Sequence, residues 1–433
     1  MPDFAVSTDP AVQAQLDRLT LVSPGADILG LDRITRLLAR LGDPHLRLPP
    51  VFHVAGTNGK GSTCAYLRAA IEAAGMRCHV YASPHLVRFN ERIRLAGRLI
   101  DDSALAALLA EVLDVADDIG ASFFEITTAA AFLAFSRTPA DACVIEVGLG
   151  GRLDATNVLP APAVCGIAAL GIDHEAFLGD TLIGIAAEKA GIAKPGVPVV
   201  TLFYPADIDR RIAEIVAAAG ATLHRRGDDW DVADGVYRDG AGPLDLPAPR
   251  LGGAYQADNY ALAVAMLRHQ RALAIPDWAI LRAADAVRWP ARMQRLGDGA
   301  LTRRIDAPFG VWLDGAHNEQ AARQVAAWWP DVAQERPSAM VLGMLANKDA
   351  SGVLTHFAGA VDHVVAVPVP GHAHHAPETL AEQARTLGMT AQIATDPGAA
   401  LDLLAGRGFA SVLIAGSLYL AGTVLTANGE MPE

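Results

Sequence analysis

The stretch that decides the fold is VFHVAGTNGKGS, residues 51–62. It begins with an apolar run, Val51–Val54, which predicts a buried strand, and then breaks into a glycine-rich turn that leads into residues of helical composition at 63–70. This arrangement is typical of a site for a nucleoside triphosphate, because the N–H groups of the turn and the positive end of the helix both face the phosphates. We expect Lys60 to reach the β- and γ-phosphates and the Ser62 hydroxyl to bind Mg²⁺.

The spacing inside this turn is not the common one. Only two residues separate Gly56 from Gly59, and Gly61 stands between Lys60 and Ser62. Glycine-rich turns also occur without ligands. The strand before the turn and the helix that opens with GKGS favour the phosphate-binding interpretation.

Composition excludes several classes of protein. A chain of 433 residues predicts two or three domains, and its 52% hydrophobic content can fill large cores. A formal net charge of −13 disfavours non-specific nucleic-acid binding. Four cysteines without a CxxC pair fit a reducing cytoplasm and not a disulfide scaffold or zinc site. With no secretory signal and no membrane-spanning apolar stretch, we expect a cytoplasmic protein without a membrane partner.

Polar residues follow three of the predicted strands. Strands near residues 78, 142, 163 and 197 alternate with helices, which predicts a mostly parallel sheet that binds ligands at the carboxyl ends of its strands. Ser83, Glu146 and His174 lie at such ends. Together with the phosphate turn they could hold Mg²⁺ against a triphosphate. Because histidine is an unusual ligand for Mg²⁺, a second metal ion between the γ-phosphate and the acceptor is the favoured form of this hypothesis.

Lys189 lies in a mostly apolar helical segment beyond His174. In one interpretation its stem packs against the protein while its head reaches water. In the other it lies in the site and is carboxylated, so that it becomes an anion that helps to hold metal. The residues alone leave both interpretations open.

The chain is predicted to be α/β with two domains. An N-terminal P-loop ATPase domain with a mostly parallel sheet spans residues 1–290, with short polar antiparallel strands at its edge from about 221 to 250. A linker follows at 291–296, and a smaller Rossmann-like α/β domain spans 297–433. Two such domains suggest closure around a phosphorylated intermediate. ATP-dependent amide synthesis fits, with a carboxylate that attacks the γ-phosphorus and an amine that then displaces phosphate.

Eight motifs in chain order make a specific resemblance. They are GTNGKGST at 56–63, SPHL at 83–86, ERI at 91–93, EVGLGGRLDATN at 146–157, DH at 173–174, EKAGI at 188–192, DGAHN at 314–318 and AGSLYL at 416–421. The chain resembles the bacterial folylpolyglutamate synthase/dihydrofolate synthase family of the ADP-forming Mur ligases over nearly its whole length. The resemblance implies an enzyme that joins L-glutamate to dihydropteroate, and to the γ-carboxyl of reduced folates, while ATP becomes ADP and phosphate.

The resemblance also implies site residues. Phosphate and ATP contacts are expected at Gly59, Lys60, Gly61, Ser62, Asn259, Arg292 and Asp314; metal ligands at Ser62, Ser83, Glu146 and His174; catalytic roles at Lys60, His174, Lys189, Asp314 and His317; and pterin-side contacts at Gly30, Leu31, Phe123, Phe124, Glu125, Leu153, Asp154 and Ala155. It implies two Mg²⁺ ions, a carboxylated Lys189, a monovalent cation and a monomeric enzyme. The chain departs from the family pattern at Tyr255-Gln256, where His-Gln is usual, and at Pro290-Ala291-Arg292, where Pro-Gly-Arg is usual.

Three other interpretations remain. A folylpolyglutamate synthase with only one of the two activities would carry the same motifs. A cell-wall Mur ligase would need an N-terminal domain for a uridine nucleotide, and only about 50 residues precede this P-loop. An inactive nucleotide-binding regulator would be expected to lose Lys60, Glu146 or His174, and all three are present.

Overall fold

The computed structural model describes residues 5–23, 29–334 and 336–432. These residues form two compact units. The first runs to Arg250 and includes Gln256–Arg288, and the second comprises Leu251–Tyr255 and Trp289–Pro432. The main boundary, between Arg288 and Trp289, lies just before the predicted linker, and part of that linker forms a short strand.

The first unit carries the phosphate turn. Its helices are α1 (Pro10–Val22), α2 (Asp32–Arg40), α3 (Lys60–Ala73), α4 (Asp102–Asp114), α5 (Phe123–Arg137), α6 (Glu175–Leu178), α7 (Leu182–Ala190), α8 (Ala206–Ala218), α9 (Tyr255–His269) and α10 (Asp277–Ala286). Its strands are β1 (Val51–Ala55), β2 (Cys78–Tyr81), β3 (Ile93–Leu95), β4 (Arg98–Leu99), β5 (Ala142–Glu146), β6 (Val164–Ile167), β7 (Pro198–Thr201), β8 (Thr222–Arg225), β9 (Trp230–Ala233), β10 (Val236–Asp239) and β11 (Gly242–Asp245).

An eight-stranded sheet organises this unit in the order β4-β3-β2-β5-β1-β6-β7-β8. The six strands from β2 to β8 in that order pair in parallel, whereas β3 and β4 add an antiparallel edge. Every residue of β1 and β5 is buried, which explains why their sequences are apolar apart from His53 and the terminal Glu146, because helices cover both faces of a parallel sheet. The carboxyl ends of β2, β5, β1 and β6 therefore lie side by side, as the sequence predicted.

Two details of this unit differ from the prediction. The antiparallel strands expected at 221–250 are β9–β11, which form a separate three-stranded sheet, but β8 pairs in parallel with β7. The side chains of β8 are only partly buried, so its sequence lacks the apolar signal of the inner strands. The sequence after Asp101 also predicts a helix that continues to about Ile119, but α4 ends at Asp114, and residues 115–120 form turns.

The second unit is a smaller α/β layer. Its helices are α11 (Glu319–Ala333), α12 (Ala350–Phe357), α13 (Pro377–Thr386), α14 (Pro397–Leu404) and α15 (Leu418–Asn428). Its strands are β12 (Gln294–Arg295), β13 (Gly310–Leu313), β14 (Ser338–Leu342), β15 (His363–Ala366), β16 (Thr390–Ile393) and β17 (Ser411–Ala415), in the order β12-β13-β17-β14-β15-β16. All pairs are parallel except β12 with β13.

The sequence did not predict the two edge strands of this sheet. Strand β12 has two residues and β16 has four partly exposed ones, so neither shows a buried apolar run.

Within the described part of the chain, no helix has the length and apolarity needed to cross a bilayer.

Candidate active site

The phosphate turn has a shape that only glycine permits at two positions. Gly59 adopts φ +82°, and a Cβ there would lie 2.2 Å from the side-chain oxygen of Asn259. A Cβ on Gly56 would lie 2.8 Å from the Cβ of Ala168. Since real carbon atoms do not approach so closely, these two glycines hold the turn against α9 and against the segment after β6.

The N-terminus of α3 has the features of an anion site. Among the described residues, no acceptor pairs with the backbone N–H groups of Lys60, Gly61 or Ser62, and the first turn of α3 contains no acidic residue. The position of the turn is fixed by two hydrogen bonds, because the N–H groups of Thr57 and Asn58 donate to the Ala169 carbonyl oxygen at 2.9 and 3.1 Å. Free donors on a fixed turn at a helix N-terminus suit phosphate oxygens.

Lys60 is already directed back over the turn. Its ammonium group donates to the Thr57 carbonyl oxygen at 3.2 Å. The side chain therefore lies beside the free N–H groups, where a cation adds to the attraction for a triphosphate.

Gln256, to which the motifs assign no role, is a further residue of the site. Its side chain is fully buried; its amide nitrogen donates to the Ser62 hydroxyl at 3.3 Å, and its amide oxygen accepts from the Asn259 side chain at 3.1 Å. It thus connects the expected Mg²⁺-binding hydroxyl to the residue that contacts Gly59. The available signal was its position three residues before Asn259, on the same helical face.

The predicted metal ligands lie along one edge of the sheet. Glu146 is the last residue of β5 and is 5% exposed, and the Ser83 N–H donates to its carboxylate at 3.4 Å. His174 follows β6 on the other side of β1; it is exposed, and its own N–H donates to the Asp173 carboxylate at 2.8 Å. The described residues contain no group of three or more His, Cys, Asp and Glu side chains that could hold a metal. The predicted set has only two residues of these types, its other donors being the hydroxyls of Ser62 and Ser83.

Lys189 is buried, with 4% of its surface exposed, so the interpretation in which its head reaches water is wrong. Burial, and to a smaller extent the charge of Lys60, lower the pKa of its amine from 10.5 to about 7, against the opposing effect of Asp173, Asp154 and Glu188. In the described part of the chain, its ammonium nitrogen has no hydrogen-bond acceptor. An uncharged amine beside the phosphate turn is the form that can react with carbon dioxide.

The loop after β5 packs directly on α7 next to Lys189. A Cβ on Gly151 would lie 2.6 Å from the Glu188 carbonyl oxygen and 3.0 Å from the Lys189 Cα. The Arg152 N–H donates to the same carbonyl at 2.8 Å. The glycine pair of EVGLGGR therefore brings the loop into contact with this helix.

Asp154 is fixed by contacts within its own loop. Its carboxylate accepts from the N–H groups of Leu149 and Thr156 at 2.8 and 3.0 Å and from the Thr156 hydroxyl. That hydroxyl lies 2.8 Å from the Nε2 of the fully buried His53. Burial raises the pKa of Asp154, and these hydrogen bonds oppose the rise. The structure thus gives Asp154 a local role, and its contact with substrate stays a prediction, as do those of Leu153 and Ala155.

The other predicted pterin-side residues surround the first turn of α5. The Glu125 carboxylate accepts from the Ser122 N–H at 2.7 Å and from the Arg33 side chain at 3.0 Å. Its second oxygen, Oε1, is buried and has no hydrogen-bond partner in the part of the chain that the structure describes. The Phe124 ring lies against Gly148, where a Cβ would be 2.3 Å from its edge. Gly30 and Leu31 immediately precede α2, which contacts α5.

The second unit gathers its own predicted residues around Asp314. This carboxylate is 4% exposed and accepts from the N–H groups of Met293 and Ala316, each at 2.8 Å, and from the Tyr255 hydroxyl at 3.4 Å. Burial raises the pKa of Asp314, and the nearby Arg292 opposes this rise.

Arg292 and His317 lie beside the same short loop. The guanidinium of Arg292 donates to the Ala291 carbonyl at 2.8 Å and would be 2.8 Å from a Cβ on Gly315. The Nδ1 of His317 lies 2.8 Å from the Gly315 carbonyl oxygen, which can only accept, so Nδ1 donates to it. The three predicted residues of this unit are therefore neighbours.

The chain is similar in sequence to known proteins. Residues 292–418 match the family model described as the Mur ligase glutamate ligase domain. The chain is 35% identical over 349 residues to the dihydrofolate synthase/folylpolyglutamate synthase of Escherichia coli. This alignment covers 79% of this chain and 78% of that protein.

Solved structures match over almost the whole chain. A complex of E. coli FolC with DHPP and ADP has a TM-score of 0.86 at 32% identity and covers 97% of this chain and 98% of that one. A bifunctional folylpolyglutamate synthase/dihydrofolate synthase with Mn, AMPPNP and L-glutamate bound has a TM-score of 0.85 at 32% identity. The match covers 97% of this chain and 99% of that one. As its motifs predicted, the chain belongs to the dihydrofolate synthase/folylpolyglutamate synthase family of Mur ligases.

Proposed function

We propose that the protein is an ATP-dependent, ADP-forming ligase that joins L-glutamate to dihydropteroate and to the γ-carboxyl of reduced folates. The observation that carries this proposal is the anion site at the N-terminus of α3, where three N–H groups beside Lys60 have no acceptor among the described residues. The buried Glu146 and Ser83 lie at neighbouring strand ends. Membership of the family supports the choice of substrates.

The proposed reaction has two steps. An oxygen of the pterin acid's carboxylate attacks the γ-phosphorus of ATP, the bond to the bridging β–γ oxygen breaks, and ADP leaves. The amine of glutamate then attacks the carbonyl carbon of the acyl phosphate, loses a proton and displaces phosphate. Lys60 and the N–H groups of the turn hold the triphosphate and offset its negative charge.

A divalent cation is the expected cofactor. Ser62, Ser83, Glu146 and His174 would hold two Mg²⁺ ions, and the hydroxyl and carboxylate oxygens in this set fit a hard cation. Such ions would neutralise the charge that develops on the transferred phosphoryl group. A monovalent cation is a further part of the proposal.

Lys189 is proposed to be carboxylated. With a pKa of about 7, roughly half of the amine is uncharged at neutral pH. That amine adds to carbon dioxide and releases a proton, giving a carbamate whose negative charge replaces a disfavoured buried cation. Lys189→Ala is expected to lose activity and to recover part of it with a small carboxylic acid. An unmodified lysine by mass spectrometry, in an active preparation supplied with bicarbonate, would contradict this assignment.

The remaining site residues complete the proposal. Asn259, Arg292 and Asp314 would contact ATP, with His317 nearby as a catalytic residue. The pterin acid would contact Gly30, Leu31, Phe124, Glu125 and the segment 153–155. The Oε1 atom of Glu125, which has no partner among the described residues, could accept a hydrogen bond from it. We further propose that residues 1–290 and 297–433 act as the ATP-binding and glutamate-ligase domains of a cytoplasmic monomer.

The test offers dihydropteroate and tetrahydrofolate separately, each with ATP and labelled L-glutamate. Incorporation with both acceptors is expected, with one ADP released per amide bond. Lys60→Ala should abolish incorporation, whereas Arg211→Ala, which removes an exposed charge on α8, should not. Incorporation with tetrahydrofolate alone would mean a monofunctional folylpolyglutamate synthase, and incorporation with neither acceptor would refute the proposal.

A further inference from the structure

A cleft of about 500 Å³ lies on the first unit between the C-terminal half of α3 and helix α10. It is distinct from the phosphate turn, since its first α3 residue, Arg68, lies more than two helical turns beyond Lys60. Three alanines form part of its wall, and the larger side chains that line it are Arg68, Glu72, Trp278 and Arg282. Its volume falls within the range of small-molecule sites.

Arg68 is a nearly buried cation without a hydrogen bond. Its side chain is 12% exposed, and the Glu72 carboxylate, 3.7 Å away, is beyond hydrogen-bonding distance. Its Nε is buried and unpartnered, and its guanidinium has no acceptor among the residues that the structure describes. Among the described residues, the buried Nε has only the Glu72 ion pair, at a distance too long for a hydrogen bond, and an unmet buried donor is costly. The other nitrogens of Arg68, which lines the cleft, are not among the buried unpartnered atoms.

Arg282 adds a second guanidinium across the cleft. It is exposed and likewise has no hydrogen-bond acceptor in the described chain. Glu72 supplies one negative charge, so the lining keeps a formal excess of one positive charge while that carboxyl is ionised. Burial raises the pKa of Glu72, although Arg68 and Arg94 oppose the rise. Arg68 has the Glu72 carboxylate as a charged neighbour, and neither guanidinium group has a hydrogen-bond acceptor among the described residues. Two such groups suit a carboxylate or a phosphate.

Trp278 supplies a flat apolar wall. It is 60% exposed, which is unusual for so large an apolar side chain. An indole face that borders a concave site with cationic groups suits a planar ring, which stacks on it.

We propose that this cleft binds a small molecule that carries a planar aromatic ring and an anionic group, the ring on Trp278 and the anion between Arg68 and Arg282. Folate-derived aromatic carboxylates and nucleotide phosphates share this chemistry. The site lies outside the ligase centre and does not depend on the proposed reaction.

Isothermal titration calorimetry with p-aminobenzoyl-L-glutamate and with AMP tests the proposal and distinguishes folate-derived carboxylates from nucleotide phosphates. Inorganic phosphate serves as the comparison without a ring. We expect at least one ring-bearing probe to bind with a component that weakens at least tenfold in Trp278→Ala and in Arg282→Glu. Arg210→Glu, the same charge change on the exposed surface of α8, should leave that component unchanged. Phosphate alone should bind at least tenfold more weakly.

Three results would overturn the proposal. The first is that neither cleft variant weakens the binding of a ring-bearing probe, and the second is that Arg210→Glu weakens it equally. The third is that phosphate binds as tightly as the ring-bearing probes. Circular dichroism melting curves check that the variants fold. Glutamate incorporation measured in parallel separates the two hypotheses, because both cleft variants should retain the wild-type rate. A wild-type chain without ligase activity that still shows the expected binding would refute the proposed function and leave the cleft assignment standing.

Discussion

Replacing Lys189 with methionine should change how stability depends on pH. The pKa of the amine is about 7 in the folded protein and 10.5 ordinarily, so the unfolded chain binds more protons between these values. The buried Lys189 cation therefore lowers the free energy of unfolding by its full amount below pH 7, and this destabilisation disappears as the pH rises through 10.5. Integrating over this window gives a penalty of about 4 kcal/mol at pH 7 and about 1 kcal/mol at pH 10.

The measurement is urea unfolding of the wild type and of Lys189→Met from pH 7 to pH 10, in buffers free of carbon dioxide so that the amine stays unmodified. The free energy of unfolding of the wild type should rise by about 3 kcal/mol relative to the variant over this range. Methionine has a similar length but no charge, so the difference between the two proteins cancels the titration of other groups. A difference that does not change with pH would show that Lys189 is not held as a buried amine.

Three further substitutions test the phosphate turn. Lys60→Ala should abolish ATP turnover without altering the circular dichroism spectrum, and full turnover would contradict the phosphate-site assignment. Gln256→Leu should destabilise the protein by about 2 kcal/mol in urea unfolding, because the side chains of Ser62 and Asn259 lose their partner; an unchanged midpoint would contradict this. Gly59→Ala should weaken nucleotide binding at least tenfold in equilibrium dialysis, since its Cβ would displace Asn259, and unaltered binding would show that the turn adapts.

The sequence predicted the parts of the fold that are buried on both faces. Strands β1 and β5 are mostly apolar, and the parallel pairing of β2, β5 and β1 brings Ser83 and Glu146 together at one edge. The edge strands were harder to predict: β8 and β16 carry polar or exposed side chains, and β12 is too short to show a pattern. Pairing there depends on neighbours that are distant in sequence.

The site was predictable where a residue type carries the chemistry. The glycines, the lysine and the serine of the turn are examples, because their roles follow from local geometry. The burial of Lys189 was not predictable, since it depends on how α7 packs against the loop at Gly151. The bridge that Gln256 makes between Ser62 and Asn259 likewise exists only once α9 packs on α3.

The central claim is that ATP bound at the phosphate turn activates the pterin carboxylate as an acyl phosphate. The most direct test uses dihydropteroate labelled with ¹⁸O in its carboxylate, with ATP and L-glutamate, and mass spectrometry of the phosphate released. One ¹⁸O atom per phosphate is predicted, because the bridging oxygen leaves with phosphate when the amine attacks the carbonyl carbon. Amide formation that releases only unlabelled phosphate, or that transfers the label to AMP, would contradict the account.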